Sequence, residues 1–302
     1  MVRIGVDLGG TKIEAAALDS DGRFLARRRV PTPEAYSDKL SAIGALIRMI
    51  ESEIGADGLP VGVGHPGSIS PRTGLMRNAN TTQLNGRPFD RDLTEALGRP
   101  VACANDANCF ALSEALDGAG AGAGSVFGVI IGTGVGGALV IDGRLHAGQD
   151  GNAGEWGHAG LPWPEADEVP GPACKCGLSG CIEAWCSGPA LAADHMRTTG
   201  ETLTGEDIAA AAAAGDARAQ ATLERHAARL ARGLALVINI ADPEVIVLGG
   251  GLSNLPGLAE TLQDKISRWA FTDALTTRIV RNVHGDSSGV RGAAWLNPLE
   301  GS

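Results

Sequence analysis

Four potential metal ligands lie close together in the middle of the chain. His158 is followed by Cys174, Cys176 and Cys181, so one imidazole and three thiols fall within 24 residues. Tetrahedral Zn²⁺ is bound in this combination at closed structural sites, where all four ligands come from the protein. The spacing therefore predicts a structural zinc ion that orders a loop. The alternative is a set of ordinary buried thiols beside an unrelated histidine.

A carboxylate stands at each end of this block. Glu155 precedes His158 by three residues, and Glu183 follows Cys181 by two. If a zinc ion fixes the loop, Glu155, His158 and Glu183 can face one small ligand while the metal takes no part in the chemistry. The sequence therefore predicts a binding site for a polar small molecule here.

Two glycine turns with threonine offer a second kind of chemistry. The first contains Gly9-Gly10-Thr11-Lys12 after Asp7, and the second begins Gly132-Thr133-Gly134 and continues through Gly136. Each lies between two predicted strands, so neither is a Walker A loop or a dinucleotide fingerprint, which precede a helix. Backbone N–H groups and a hydroxyl in such a turn can still bind phosphate oxygens.

The pattern around these turns occurs twice. A strand, a Gly/Thr turn, a second strand and an Asp-Gly-Arg sequence recur about 121 to 123 residues apart. Internal repeats of this kind indicate a duplicated structural unit. We therefore predict two halves, whose turns could hold a polyphosphate from two sides.

Asp106 is placed between a predicted strand, 100–104, and a predicted helix, 107–117. Aspartate is a good helix N-cap. It could also be a catalytic base, and a helix N-terminus would keep its carboxylate ionised. The two roles are compatible, and the residues alone favour the cap.

Two further segments are candidates for ligand contacts. Residues 71–87 form a predicted polar loop, and a loop of this length in a compact domain is more often functional than not. Gly249, Gly250 and Gly251 follow a predicted buried strand, 244–248, and would let a flat group such as a purine lie against the backbone.

Composition sets the wider limits. The 302 residues suffice for two domains, which we place at 1–117, with 289–302 returning to it, and at 118–288. A net charge of -10 argues against a nucleic-acid partner. No apolar run reaches the length of a membrane span, and no signal peptide is recognisable, so we expect a cytoplasmic protein with reduced cysteines.

Together these motifs resemble the ROK family of sugar kinases, within the actin-like and hexokinase-like ATPase superfamily. The resemblance covers nearly the whole chain. Within the family, a loop and a tail segment are most similar to bacterial fructokinases of the manno(fructo)kinase type, and somewhat less to N-acetylglucosamine kinases. The resemblance to the family rests on residues 7–12, 105–107, 132–137, 155–158, 174–183 and 248–251. The resemblance to the fructokinase subfamily rests on residues 67–71, 78–81 and 284–289.

The resemblance implies a duplicated, actin-like (ribonuclease H-like) α/β fold with two lobes around a cleft. It implies ATP-dependent transfer of the γ-phosphoryl group to the 6-hydroxyl of a hexose, with fructose expected as the substrate and N-acetylglucosamine, mannose or glucose as the alternatives. ATP, Mg²⁺ and structural Zn²⁺ are the implied cofactors. A homodimer without membrane or nucleic-acid partners is expected.

The resemblance also implies roles for individual residues. Asp106 would be the base that accepts the proton of the sugar hydroxyl. His158 would bind zinc through one ring nitrogen and offer the other to the sugar. The implied sugar-binding residues are Gly67, Asn80, Thr81, Asn105, Glu155, His158 and Glu183. The implied nucleotide and magnesium residues are Asp7, Gly9, Gly10, Thr11, Lys12, Gly132, Thr133, Gly134, Gly136, Gly249, Gly250 and Gly251.

Two other classes of protein remain as rivals. A sugar-responsive transcription repressor of the same family would carry an N-terminal helix-turn-helix, whereas this chain enters a predicted strand at Val2, and its negative charge disfavours DNA. A non-catalytic, actin-like assembly protein would not need Asp106 or the carboxylates proposed to bind sugar.

Overall fold

The structure, a computed structural model, describes residues 1–297. In chain order its strands are β1 (Arg3–Leu8), β2 (Lys12–Leu18), β3 (Phe24–Pro31), β4 (Val61–His65), β5 (Ser68–Ile69), β6 (Met76–Arg77), β7 (Val101–Asn105), β8 (Ser125–Ile131), β9 (Val135–Ile141), β10 (Arg144–His146), β11 (Val245–Gly249) and β12 (Arg278–Arg281). Its α-helices are α1 (Tyr36–Ile54), α2 (Phe89–Leu97), α3 (Asp106–Asp117), α4 (Ile182–Cys186), α5 (Gly188–Thr199), α6 (Gly205–Ala213), α7 (Ala217–Ala241), α8 (Leu258–Ile266) and α9 (Ser288–Trp295).

The chain divides into two compact units. Of the described residues, the first unit contains Met1–Gly122, Gly143–Ala153 and 283–297, and the second contains Ala123–Asp142 and Gly154–Asn282. The return to the first unit thus begins earlier than the predicted 289, and the connector 118–122 belongs to the first unit rather than the second. The part of the predicted return at 298–302 lies outside the described residues.

The first unit is built on a five-stranded sheet in the order β3-β2-β1-β4-β7. β1 pairs antiparallel with β2 and parallel with β4, and β4 pairs parallel with β7. Helix α9 lies against this sheet where β4 carries Gly62: a Cβ atom there would stand 1.8 Å from the carbonyl oxygen of Ala293. Only glycine allows the helix backbone to approach so closely.

The second unit repeats this arrangement. Its strands lie in the order β9-β8-β11-β12, with β8 antiparallel to β9 and parallel to β11. The relation of β8 to β9 and β11 is that of β1 to β2 and β4. The duplication predicted from the two glycine turns is therefore present in the strand topology.

The long amphipathic helix α7 supplies much of the second unit's core. Leu230, Leu234 and Ile238 on its apolar face are buried in one cluster with Ile246 and Leu248 of β11. Each such side chain contributes roughly 1.5–3 kcal/mol on burial, which fixes β11 and the glycines that follow it. No helix in the described part of the chain combines the length and the apolar character needed to cross a membrane.

Candidate functional site

The four predicted metal ligands converge in the second unit. The ligand atoms of His158, Cys174, Cys176 and Cys181 all lie within 4.8 Å of one another. His158 Nδ1 is 3.6 Å from Cys174 Sγ, and Cys176 Sγ is 3.6 Å from Cys181 Sγ. Tetrahedral zinc with Zn–S and Zn–N bonds of about 2.3 and 2.0–2.1 Å separates its ligand atoms by roughly 3.6–3.8 Å. The donor set and its spacing therefore fit such an ion.

Two buried arginines of α7 hold the segment between His158 and Cys174 through ion pairs and a hydrogen bond. Glu168 Oε1 accepts hydrogen bonds from Arg229 Nε at 2.8 Å and from Arg232 at 2.7 Å. Arg232 also donates to the carbonyl oxygen of Trp163 at 2.7 Å. Removing one partner of a buried pair of this kind typically costs about 3–5 kcal/mol. These pairs were not predicted: two arginines on an otherwise apolar helix face indicate buried ion pairs, but they do not identify the distant partner Glu168.

The pKa of Glu168 reflects these contacts. Burial alone would raise its pKa, but hydrogen bonds from Arg232, from the N–H of Glu165 and from Arg229 outweigh burial and lower the pKa to about 2. Glu168 is therefore ionised over the whole physiological range and holds both arginines.

Glu183 joins the metal-ligand loop to the second glycine turn. Its Oε2 atom accepts a hydrogen bond of 3.0 Å from the N–H of Val135, and its Oε1 atom lies 3.2 Å from Lys175 Nζ. Glu155 is exposed and begins the short 3₁₀ helix Trp156–His158, whose Trp156 Nε1 donates to the Gly136 carbonyl at 2.9 Å. Glu183 and Trp156, which is two residues before His158, are thus both in direct contact with the second glycine turn.

The turn itself is held by short backbone bonds. Gly132 N–H donates to the Gly134 carbonyl at 2.9 Å, and Gly188 N–H, at the start of α5, donates to the Gly132 carbonyl at 2.7 Å. Thr133 at its tip is exposed. The turn therefore presents a hydroxyl to solvent on a fixed backbone, as binding of an anion would require.

Gly250 lies against the end of β8. Its φ angle is +81°, and a Cβ atom there would stand 2.5 Å from the Ile131 carbonyl oxygen, whereas nothing lies within 4 Å of one built on Gly251. Only glycine can occupy position 250 without displacing the backbone. Gly249, Gly250 and the second turn consequently meet at neighbouring ends of β11 and β8.

The first unit carries the matching turn. Gly9 N–H donates to the Lys12 carbonyl at 3.0 Å, and Thr32 Oγ1 donates to the Gly9 carbonyl at 2.8 Å. Gly10 and Thr11 at its tip are exposed. This turn, like the second, is a fixed hairpin with its tip in solvent.

Asp7 stands at the end of β1 in an unusual electrostatic environment. Burial, and then the negative charges of Asp106 and Glu14, raise its pKa to about 6, although Lys12 partly offsets them. A Cβ atom built on Gly289 would lie 3.0 Å from Asp7 Oδ2, so this carboxylate is also packed against α9. A carboxylate burdened by other negative charges is a favourable place for a divalent cation, so Asp7 fits a magnesium-linked role.

Asp106 is the first residue of α3, and Asn105 is its N-cap. The Asn105 side chain accepts a hydrogen bond of 2.9 Å from the Ala107 N–H and donates one of 2.9 Å to the Gly67 carbonyl. Asp106 is exposed, and its Oδ1 atom lies 2.8 Å from the same N–H. Asn105 is therefore the N-cap of α3, and Asp106 accepts a second hydrogen bond from the same N–H.

The polar loop is more ordered than predicted. It contains β6, which pairs with β5 just before the loop, and a 3₁₀ turn, Thr82–Leu84. Asn85 accepts a hydrogen bond of 2.9 Å from the Ala79 N–H and donates one of 3.0 Å to the Ala79 carbonyl. Gly67 has a φ of +74°, and a Cβ atom there would meet the Arg77 carbonyl oxygen at 2.5 Å. Of the two predicted sugar-binding residues in this loop, Asn80 is exposed and Thr81 is half-buried.

Comparison with known proteins places this geometry in a family. The ROK family model matches residues 3–299. An N-acetyl-D-glucosamine kinase from Photobacterium profundum is 40% identical over 298 residues, covering 97% of this chain and 98% of the relative.

Solved structures agree with this match. A ROK hexokinase from Thermus thermophilus superposes with a TM-score of 0.89 at 36% identity, covering 99% of both chains. A ROK family glucokinase from Streptomyces griseus, in complex with glucose and AMPPNP, superposes with a TM-score of 0.78 at 30% identity, covering 98% of this chain and 99% of that one. The predicted actin-like α/β fold is confirmed, and the chain belongs to the ROK family of sugar kinases.

Proposed function

We propose that this chain is an ATP-dependent N-acetylglucosamine kinase, which transfers the γ-phosphoryl group to the 6-hydroxyl of the sugar. The observation that carries the choice of sugar is the 40% identity, over nearly its full length, to a protein named for that activity. A regulator with an added DNA-binding domain, or an assembly protein, is less well supported, because that relative is a kinase of matching length.

Fructose, expected from the loop and tail segments, is not supported by the relatives named above, of which the curated one is an N-acetyl-D-glucosamine kinase. The alternative, N-acetylglucosamine, agrees better with them. The physical reason is that short loop motifs report little about selectivity, because each hydroxyl or acetamido group is recognised by side chains from several segments. Fructose therefore becomes a competing substrate to be tested.

Asp106 is proposed as the base of the reaction. Phosphoryl transfer depends mainly on positioning and on neutralising charge, and it needs one carboxylate to accept the proton of the attacking hydroxyl. Asp106 suits this role because it is exposed and lies at the start of α3, whose N-cap is Asn105. The positive end of the helix favours the ionised form that a base requires.

The remaining proposed contacts follow the units in which the residues lie. In the first unit, Asn105, Gly67, Asn80 and Thr81 are proposed to bind sugar, and Gly9 to Lys12 to bind phosphate. In the second unit, Glu155, His158 and Glu183 are proposed to bind sugar, and the second turn and residues 249–251 to bind the nucleotide. Mg²⁺, held near Asp7, would neutralise phosphate charge.

Zinc is proposed as the ion of the Cys₃His set. Bound by His158, Cys174, Cys176 and Cys181, it would fix the loop that carries His158 and ends at Glu183, and it would supply no reacting group. His158 Nδ1 is the nitrogen near the sulfur atoms, which leaves Nε2 to donate to or accept from a sugar hydroxyl. Homodimer formation and a cytoplasmic location stay predictions.

The substrate proposal is tested by measuring kcat/KM for N-acetylglucosamine, glucose, mannose and fructose in an ADP-release assay. We expect the highest value for N-acetylglucosamine, by about tenfold or more, since a site built for a polar group strongly disfavours an analogue that leaves its partners unpaired. A highest value for fructose would restore the original expectation. No phosphorylation of any of the four hexoses would contradict the proposed function.

A further inference from the structure

Lys175 lies in the metal-ligand loop between two of the four ligands, Cys174 and Cys176. Its side chain is 57% exposed, and its Nζ atom is 3.2 Å from Glu183 Oε1. The other oxygen of Glu183 accepts the N–H of Val135 in the second glycine turn. Lys175 is thus the outer member of a chain of contacts that runs from the metal-ligand loop to that turn.

The ammonium group is also close to the turn itself. A Cβ atom built on Gly134 would lie 2.6 Å from Glu183 Oε2 and 3.8 Å from Lys175 Nζ. A side chain at position 134 would crowd Glu183 Oε2, whereas its distance to Lys175 Nζ would be that of an ordinary contact. The ammonium group of Lys175 therefore lies close to Gly134, in the turn that we assign to phosphate binding.

We propose that Lys175 is a phosphate-binding residue, whose ammonium group pairs with the terminal phosphates of the nucleotide at the Gly132–Gly134 turn. A lysine ammonium is a compact charge with three donors, so it can keep its contact with Glu183 and still donate to phosphate oxygens. Ligands on both sides fix its backbone, which limits the positions that the side chain can reach. This inference rests on the proposed kinase function.

The alternative role for the same contact is that Lys175 holds Glu183 in place for the sugar and does not contact phosphate. The two roles are distinguished by which ligand loses affinity when Lys175 is replaced. A phosphate contact affects nucleotides according to the number of their phosphates, whereas support of Glu183 affects the sugar.

The test measures, by calorimetry, the affinity of the full-length protein for AMP and for a non-hydrolysable ATP analogue. Lys175→Met should weaken binding of the ATP analogue by about tenfold or more, as loss of a charge-assisted hydrogen bond does. It should change the affinity for AMP by less than about twofold. Lys175→Arg should restore most of the affinity. Lys265→Met, which removes another partly exposed lysine–glutamate pair, with Glu224, should change neither ligand.

Several results would overturn the inference. One is an equal loss of affinity for AMP and for the ATP analogue in Lys175→Met. The others are an effect of Lys175→Met confined to the KM of the sugar, or a loss of bound zinc that Lys175→Arg fails to correct. The proposed function fails differently: wild-type protein would then bind the ATP analogue without phosphorylating any sugar, and the calorimetric comparison would still report on Lys175.

Discussion

Single residues differ in how far the sequence identifies them. The Cys₃His set could be predicted because its members are rare residue types at short spacing, and their side chains do converge. The capping of α3 by Asn105, and the contacts of Glu183 with Val135 and Lys175, could not be predicted. They depend on which of several neighbouring polar residues turns inward, and only the folded backbone decides that.

The first prediction concerns the metal. Cys176→Ser should reduce bound zinc from about one ion per chain and lower the melting temperature with it, because metal binding to a structural site is coupled to folding. Cys103→Ser is the matched control, since Cys103 lies outside the ligand set, and it should leave the zinc content unchanged. Elemental analysis and thermal unfolding measure the two effects. Wild-type protein purified without chelators that contains no zinc would contradict the assignment.

Helices and strands were predictable where their apolar periodicity was strong. The predicted helix at 107–117 corresponds to α3 and the predicted buried strand at 244–248 corresponds to β11, within one residue at each end. Neither β6, within the polar loop, nor its partner β5, just before the loop, was predicted, because each strand has only two residues and carries too little pattern. The salt bridges between α7 and Glu168 join residues 61 and 64 apart in sequence, which no local pattern reveals.

The second prediction concerns the junction of β8 and β11. Gly250→Ala should destabilise the protein by more than about 1–3 kcal/mol, because the new methyl group adds a backbone clash to the strain of a positive φ. Gly257→Ala is the matched control, with a φ of +69° but nothing within 4 Å of its Cβ position. It should cost only the φ strain. Equal losses of stability in urea unfolding would show that the contact with Ile131 is unimportant.

At the scale of the whole molecule, the repeated Gly/Thr turns predicted the duplication correctly, because the same strand order surrounds both. The boundaries between the units were harder to predict. Residues 143–153 and 283–297 belong to the first unit although they follow segments of the second unit in the chain. Their membership depends on tertiary contacts, such as that of His284 with Asp117, rather than on composition.

The third prediction concerns the pH dependence of stability. The hydrogen bond from His284 to Asp117 raises the pKa of His284 above 6.5, against the opposing effects of burial and Arg291. A histidine with a raised folded-state pKa stabilises the fold fully below its unfolded pKa and loses that effect as pH rises through the folded value. The free-energy difference between wild type and His284→Gln should therefore be largest near pH 6 and shrink on raising the pH.

Unfolding in urea at a series of pH values measures this difference directly. Burial lowers the pKa values of His65 and His226, so their contributions to stability change with pH in the opposite direction. Both histidines are present in wild type and variant, so their contributions cancel in the difference. A difference that stays constant from pH 6 upward would show that the charge on His284 contributes nothing.

The central claim, that the chain is a sugar kinase with Asp106 as its base, is tested most directly by the kcat of Asp106→Asn with ATP and N-acetylglucosamine. The amide keeps the size of the side chain but cannot accept the proton, so kcat should fall by about 10²-fold or more, while affinity for an ATP analogue changes little. Asp216→Asn, which alters an aspartate that caps α7, should retain wild-type kcat. If Asp106→Asn keeps more than about a tenth of the wild-type kcat, Asp106 is not the base.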